Sequence, residues 1–162
     1  MFKVGDKVVY QVHGIGEIIS VEERVIADKK EDYYIVQIQE TKIKVMVPVN
    51  NAEEVGLRRL LDDYGLNEMF KVLNEECDNM PTNWNRRYKY NLEKIKTGSI
   101  YQIAEVFRDL TNLSRERDLS FGEKKMLDDI RRVIVAEIAN AKNVLSDSAE
   151  TILDEQVRIA LQ

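Results

Sequence analysis

The chain has 162 residues and a mass of 18.9 kDa, the size of one ordinary domain or two small ones, and its 44% hydrophobic content is enough to fill a core, which excludes disorder throughout. Lys and Arg number 24 against 29 Asp and Glu, so the molecule is mildly acidic at a net charge of -5, and no apolar run approaches the roughly 20 residues that a membrane span needs. With no signal-like hydrophobic segment at the N-terminus, a cytoplasmic protein with no membrane partner is expected. One cysteine, Cys77, and one histidine, His13, exclude a disulfide framework and a Cys/His metal site. No cofactor and no metal are expected.

The first 50 residues read as strands. Lys7 to Gln11, Gly16 to Arg24, Tyr33 to Gln39 and Ile43 to Val49 are short β-branched or aromatic runs, separated by His13-Gly14, Asp28-Lys29-Lys30 and Glu40-Thr41. In the last run Ile43, Val45, Val47 and Val49 alternate with Lys42, Lys44 and Met46, so one face is buried and the other carries two cations and a thioether. Four or five short strands in this length predict a small SH3-like or Tudor-like barrel, since closure removes exposed sheet edges.

After residue 50 the period becomes helical. Leu66, Met69, Phe70 and Leu73 fall at helical spacing, as do Ile103, Val106, Phe107 and Leu110, and Met126, Leu127, Ile130, Val133, Ile134 and Ile138 continue such a stripe over a longer helix. Ser99 with Gln102, and Ser120 with Glu123, have capping-box spacing, and Gly98 is placed to end the preceding helix in a left-handed conformation. A last helix spans about Ala149 to Leu161. The predicted fold class is therefore α+β in two domains: a small β-barrel over residues 1–50, a short linker at 51–57, and an all-α bundle over 58–162.

The chemistry available is narrow. Gly14-Ile15-Gly16 runs into a strand and has no Lys-Ser/Thr, so it is a turn and not a phosphate cradle. His13 has no nucleophile or metal partner, and Cys77 lies in the acidic stretch Glu75 to Asp78, without sequence neighbours that would activate it. Adjacent acidic pairs such as Asp128/Asp129 diverge on a helix and make no general acid/base pair. This inventory disfavours an enzyme.

Residues 81–108 carry 6 basic and 2 acidic side chains, a local excess of +4 in an acidic protein. Most of it lies in Arg86, Arg87, Lys89, Lys94 and Lys96, either a footprint for an anion or a solvated helix face with acidic partners elsewhere. Pro81 and Thr82 predict a helix start here, whose first-turn N–H groups suit a phosphate. At 100° per residue Trp84, Tyr88, Leu92 and Ile95 share a stripe. That arrangement allows two readings of Trp84. It is a core residue, as an aromatic on an apolar stripe usually is, or it overhangs the body in the first turn and, flanked by phosphate-seeking cations, has the composition of a minor-groove wedge.

These residues carry a resemblance. The chain resembles the CarD/CdnL family of bacterial RNA-polymerase-binding transcription regulators in Phe2-Lys3-Val4-Gly5-Asp6-Lys7-Val8-Val9-Tyr10 with His13-Gly14, in Val47-Pro48 followed by Asn51-Ala52-Glu53, and in Val55-Gly56-Leu57-Arg58. The longest and most specific match is Pro81-Thr82-Asn83-Trp84-Asn85-Arg86-Arg87-Tyr88-Lys89, with others in Gly122-Glu123-Lys124 and Ala149-Glu150-Thr151-Ile152-Leu153-Asp154-Glu155. The resemblance implies a Tudor-like domain that docks on the β-subunit lobe of RNA polymerase and a helical domain that touches promoter DNA, without sequence specificity, at the upstream edge of the melted region. It implies that Trp84 is the wedge and that Arg86, Arg87 and Lys89 grip the backbone beside it. In the barrel it implies polymerase contacts at Arg24 and Ile26 and on the face bearing Lys44 and Met46, where the family often has an Arg at the position of Met46.

The expectation is a non-enzymatic, monomeric transcription factor, held at the nucleoid through polymerase, that stabilises the open complex. Two other readings of the basic helix are a protein-only adaptor for an acidic partner and a general DNA-coating protein.

Overall fold

The computed structural model describes residues 1–11 and 13–160, and the chain divides into two compact units, Met1–Leu60 and Leu61–Gln162. The first is a five-stranded antiparallel sheet and the second is built of helices, the α+β organisation with a Tudor-like first unit that the sequence predicts. Strands β1 (Lys7–Tyr10), β2 (Gly14–Ile26), β3 (Lys29–Ile38), β4 (Lys44–Pro48) and β5 (Leu57–Arg59) lie in the order β4-β3-β2-β1-β5. β2 and β3 form the longest hairpin. Its two-residue turn is Ala27-Asp28, both at positive φ (52° and 63°), the backbone that matches strand twist, and it falls one residue earlier than the Asp28-Lys29-Lys30 turn predicted.

The alternation read in β4 is visible in the sheet. Val47 packs with Phe2, Val8, Ile18, Tyr34, Val36, Ile38, Ala52 and Leu57 in the core of this unit, whereas Lys44 and Met46 are exposed. Ile43 departs from it, preceding the strand and standing in solvent.

The domain boundary needs correction. Residues 51–57 are no linker: Val49–Asn51 form a 3-10 turn, Ala52 and Leu57 are buried, and Leu57–Arg59 pair with β1 in the register Tyr10↔Leu57 and Val8↔Arg59. The physical reason is that β1 would otherwise be a bare edge inside a small sheet. Gly56, at φ 100°, turns the chain into β5 and accepts a hydrogen bond from Gln11 N–H at 3.1 Å. The run Leu57-Arg58-Arg59-Leu60-Leu61 is too short to show a strand period, so the strand is invisible to pattern reading.

The second unit comprises α1 (Asp63–Asn74), α2 (Trp84–Lys96), α3 (Ile100–Glu116), α4 (Phe121–Lys142) and α5 (Ser146–Ala160), and Leu161 of the expected last helix lies outside the described residues. The predicted stripes converge. Leu66, Met69 and Leu73 of α1, Ile103, Val106, Phe107 and Leu110 of α3, Ile130, Ile134 and Ile138 of α4 and Leu153 of α5 make one core. Gly98, at φ 73°, follows α2 and donates to Ile95 C=O, as its position before Ser99 suggests. The two expected capping boxes diverge: Ser120 and Glu123 make theirs, but Ser99 makes no side-chain cap, its own N–H being taken by Thr97 Oγ1 at 3.2 Å.

The assignment of β5 to the first unit has a measurable consequence. Leu57→Ala should cost that unit about 2 to 5 kcal/mol in urea-induced unfolding, as for other buried leucines. A loss below about 0.5 kcal/mol, the ordinary effect of a linker substitution, would return Leu57 to the linker.

Candidate nucleic-acid interface

Helix α2 begins at Trp84, later than Pro81-Thr82 suggested, because Asn83 is its cap. The Asn83 side-chain oxygen accepts from the N–H groups of Asn85 (3.0 Å) and Arg86 (3.3 Å). Two of the first-turn donors expected for a phosphate are therefore already satisfied. Trp84, at the first helical position, is 55% exposed. The remainder of its stripe, Tyr88, Leu92 and Ile95, is half-buried and packs against the helical core. Trp84 is thus the overhanging end of an otherwise packed stripe and not a core residue.

The five cations of this helix divide into two sets. Arg86, Lys89 and Lys96 are exposed, whereas Arg87 is only 5% exposed and Lys94 is half-buried. Arg87 Nε donates to Glu123 Oε1 and Nη2 to Glu123 Oε2 (3.2 Å), and Nη1 donates to Thr82 C=O (3.1 Å). This corrects the expectation that Arg87 grips the DNA backbone: its guanidinium is spent inside the fold. Lys94 lies between Glu105 Oε2 (3.0 Å) and Asp78 Oδ2 (3.3 Å) and over the ring of Tyr90, 4.9 Å from its centroid. Burial alone would lower its ammonium, but the bonds from Glu105, Tyr90 and Asp78 prevail and push it up to about 12. Arg86 and Lys89 have no acidic partner among the described residues.

Glu123 is fully buried and serves two helices. Its Oε2 accepts from Ser120 N–H (3.0 Å) and Ser120 Oγ–H (2.9 Å), closing the α4 capping box, while both oxygens hold Arg87 of α2. Burial would raise the carboxyl, yet the hydrogen bonds from Arg87 and Ser120 outweigh it and hold Glu123 below the usual carboxylate range. The starts of α2 and α4 are thereby fastened together.

In the first unit the register brings Arg24, Ile26, Lys44 and Met46 to one face of the sheet. Arg24 opposes Glu31 and Ile26 opposes Lys29 on β3, while Met46 opposes Ile35 and Lys44 opposes Gln37, all alternate positions of one strand and so the same side. A bulge in β2 between Ile18 and Ser20 sets this phase. Ile26 and Met46 are exposed on that face, and Arg24 forms a 2.7 Å ion pair with Glu22 two residues earlier on the same strand.

The residues set aside as inert, His13 and Cys77, lie in different units. His13 is exposed with its ring 5.3 Å from that of Tyr10. Cys77 is far away in sequence, and although the fold places Arg108 near it, desolvation and the Asp109 carboxylate push the thiol up, which keeps it a weak nucleophile. Among the described residues no cluster of His, Cys, Asp and Glu is arranged to hold a metal ion, and no helix is long and apolar enough to cross a membrane.

Comparison with known proteins accounts for both units. Residues 68–154 match the family model described as CarD, C-terminal domain, and residues 2–61 match the one described as CarD-like/TRCF RID domain. Among curated proteins the chain is similar to YdeB of Bacillus subtilis (strain 168), 33% identical over 144 residues that cover 89% of this chain and 94% of that one. Among solved structures it is similar to CdnLNt from Myxococcus xanthus, 35% identical over 39% of this chain and 89% of that chain, with a TM-score of 0.33.

The two kinds of arginine on α2 should separate in unfolding experiments. Arg87→Ala leaves a buried carboxylate unpaired and should cost about 3 to 5 kcal/mol, whereas Arg86→Ala should change stability by no more than about 0.5 kcal/mol. Equal small losses would place Arg87 on the surface. The Glu123 carboxyl is lowered from an ordinary value of 4.5, so the unfolded chain takes up this proton first as the pH falls. Its stabilisation is complete above about pH 4.5 and is lost as the pH drops through the folded value. The difference in melting temperature between the natural protein and Glu123→Gln should therefore be constant near neutral pH and shrink in acid, and a gap independent of pH would rule out the ionised pair.

Proposed function

The chain belongs to the CarD family of transcription factors, and from that premise we propose that it binds the β subunit of bacterial RNA polymerase through the lobe-facing side of its sheet and prolongs the life of the promoter open complex with Trp84. The observation that carries this reading is the half-exposed indole at the first position of α2, when every other member of its stripe is packed. A bulky ring that the fold leaves in water, with Arg86 and Lys89 exposed on the outer side of the same helix, suits a polyanion with stacked, separable planes.

The mechanism follows from where duplex is cheapest to open. Unstacking intact DNA costs a few kcal/mol per step, but at the edge of a transcription bubble part of that cost is already met. Trp84 enters the minor groove there, and its ring must withdraw before the strands can re-anneal, so bubble collapse slows. Arg86 and Lys89 hold the neighbouring phosphates and read no sequence. With Arg87 and Lys94 spent inside the fold, Arg86 and Lys89 remain for DNA, and the log-log salt slope should be about -2. An acidic protein with so few contacts binds DNA effectively only when tethered, and the first unit supplies the tether by docking on polymerase.

That docking surface is the face shared by Arg24, Ile26, Lys44 and Met46. Its charged rim of Arg24 and Lys44 suits an acidic protein edge, and the exposed Ile26 and Met46 supply apolar area between them. Met46 stands where the family often has an arginine, so apolar contact replaces one ionic contact at that point.

The test is the dissociation of a heparin-challenged open complex. Trp84→Ala should bind polymerase as the natural protein does and melt within about 1 kcal/mol of it, yet lose much of the open-complex lifetime, with Trp84→Phe between the two. An early-melting variant, down by about 3 to 5 kcal/mol, would make Trp84 a core residue instead. For the first unit, Arg24→Glu should weaken polymerase capture at unchanged thermal stability, and undiminished capture would remove Arg24 from the interface.

A further inference from the structure

Trp84 is not the only large ring that the helical unit leaves in water. Phe121, the first residue of α4, is 86% exposed, more so than Trp84. On the helical wheel it lies about 180° from Ile130 and about 140° from Met126, both buried, so it points away from the core stripe. Nor does it cap its helix, a task performed by Ser120 and Glu123. Among the described residues it joins no part of the helical core.

Its position relative to Trp84 is set by two contacts. Two residues on, Glu123 is bound to Arg87, three residues after Trp84. One residue on, a Cβ added to Gly122 would meet Tyr88 Cε2 at 3.4 Å, and Tyr88 is one turn after Trp84 on the same stripe. The first turn of α4 therefore lies against the start of α2, and the two exposed rings stand at adjoining helix ends. The exposed charges flanking Phe121 in sequence are of both signs, Asp118 three residues before it and Lys124 and Lys125 after it. Lys124, exposed and without an acidic partner among the described residues, follows it by three residues, whereas Arg86 and Lys89 follow Trp84 by two and five.

We propose that Phe121 is a second aromatic contact to promoter DNA, stacking on a base at the same bubble edge that Trp84 enters, with Lys124 on an adjacent phosphate. The proposal rests on the DNA reading of Trp84. Every base has a π-face, so an exposed ring with a free cation one turn away binds single-stranded or unstacked nucleotides without sequence preference. Two rings on helices fastened by a buried ion pair make a rigid fork, which holds the strands apart better than one ring able to swing. A protein occupant is less well matched, because the exposed cations would then need an acidic surface that itself carries an apolar pocket.

The experiment uses the full-length protein with polymerase holoenzyme and a promoter fragment, and compares Phe121→Ala, Phe121→Leu, Phe121→Tyr and Trp84→Ala. Phe121→Ala should leave the melting temperature and the holoenzyme affinity without DNA unchanged, and shorten the open-complex lifetime at least about 5-fold, the low end of what one base-aromatic stack contributes. Phe121→Tyr should retain most of the lifetime, and Phe121→Leu, which keeps bulk and loses the ring, should not. If Phe121→Ala matches the natural protein while Trp84→Ala is short-lived, the second contact is refuted and the wedge stands. If neither variant shortens the lifetime, the DNA reading of this surface fails altogether. Loss of holoenzyme affinity without DNA in Phe121→Ala would assign the ring to a protein partner, and Phe121→Leu as good as the natural residue would exclude stacking; either result overturns the proposal.

Discussion

Glu123 holds the helical unit in its functional shape. A carboxylate with no exposed surface must have its charge balanced and its lone pairs filled, and Arg87 and Ser120 supply between them two guanidinium donors, one backbone donor and one hydroxyl. The same group thus completes the cap of α4 and fastens α2 to it. Because Arg87 also reaches back to Thr82 C=O, the segment entering α2 is held as well. Such a pair adds little net stability beyond what apolar residues of equal volume would give, but breaking it is costly, and the geometry it enforces is single-valued.

That geometry explains why Trp84 is in water. Tyr88 is the residue of the α2 stripe that meets Gly122, and α4 begins at Phe121. One turn before Tyr88 the partner helix has run out, so an indole at position 84 has no wall to pack on. The exposed ring is a consequence of where two helices start, which the Asn83 and Ser120 caps set, and of the Arg87–Glu123 bond that joins those starts. Substituents on the outer side of α2 are free of this constraint, and Arg86 and Lys89 occupy it.

Charge arithmetic and charge placement part company here. The excess in residues 81–108 is real, but three of its members are internal: Arg87 neutralises a buried glutamate, Lys94 links α2 to Asp78 and Glu105, and Arg108 of α3 is buried against Asp109 and Asp78. What faces solvent is a smaller, one-sided set. Something similar holds in the sheet, where Arg24 shares its face with Glu22 and enters any interface already half-compensated. In both units the cations available to a partner are fewer than the composition suggests, which suits weak contacts added together over weak ones made alone.

Much of this was legible in the residues. Period-2 alternation in Val45 to Val47, the converging stripes of α1, α3 and α4, the Ser120 box and the Gly98 stop are local patterns, and local patterns reflect backbone geometry that each segment imposes on itself. The motif around Trp84 likewise pointed to the family from the sequence. What the residues left open were matters of long-range partnership. The second edge of β1 is filled by Leu57–Arg59, nearly 50 residues later, and no period exists in three residues to announce it. Arg86 and Arg87 are chemically identical neighbours, and only a glutamate 36 residues away makes one structural and leaves the other free. Whether Trp84 packs or protrudes could not be decided from its stripe, since that depends on where another helix begins, and the exposure of Phe121 belongs to the same junction. Sequence by itself determined the elements other than β5, most of the core and the candidate surface, because those follow from spacing along one chain; tertiary structure alone decided which side chains on that surface face outward, because burial of a charge is settled by the distant group that balances it.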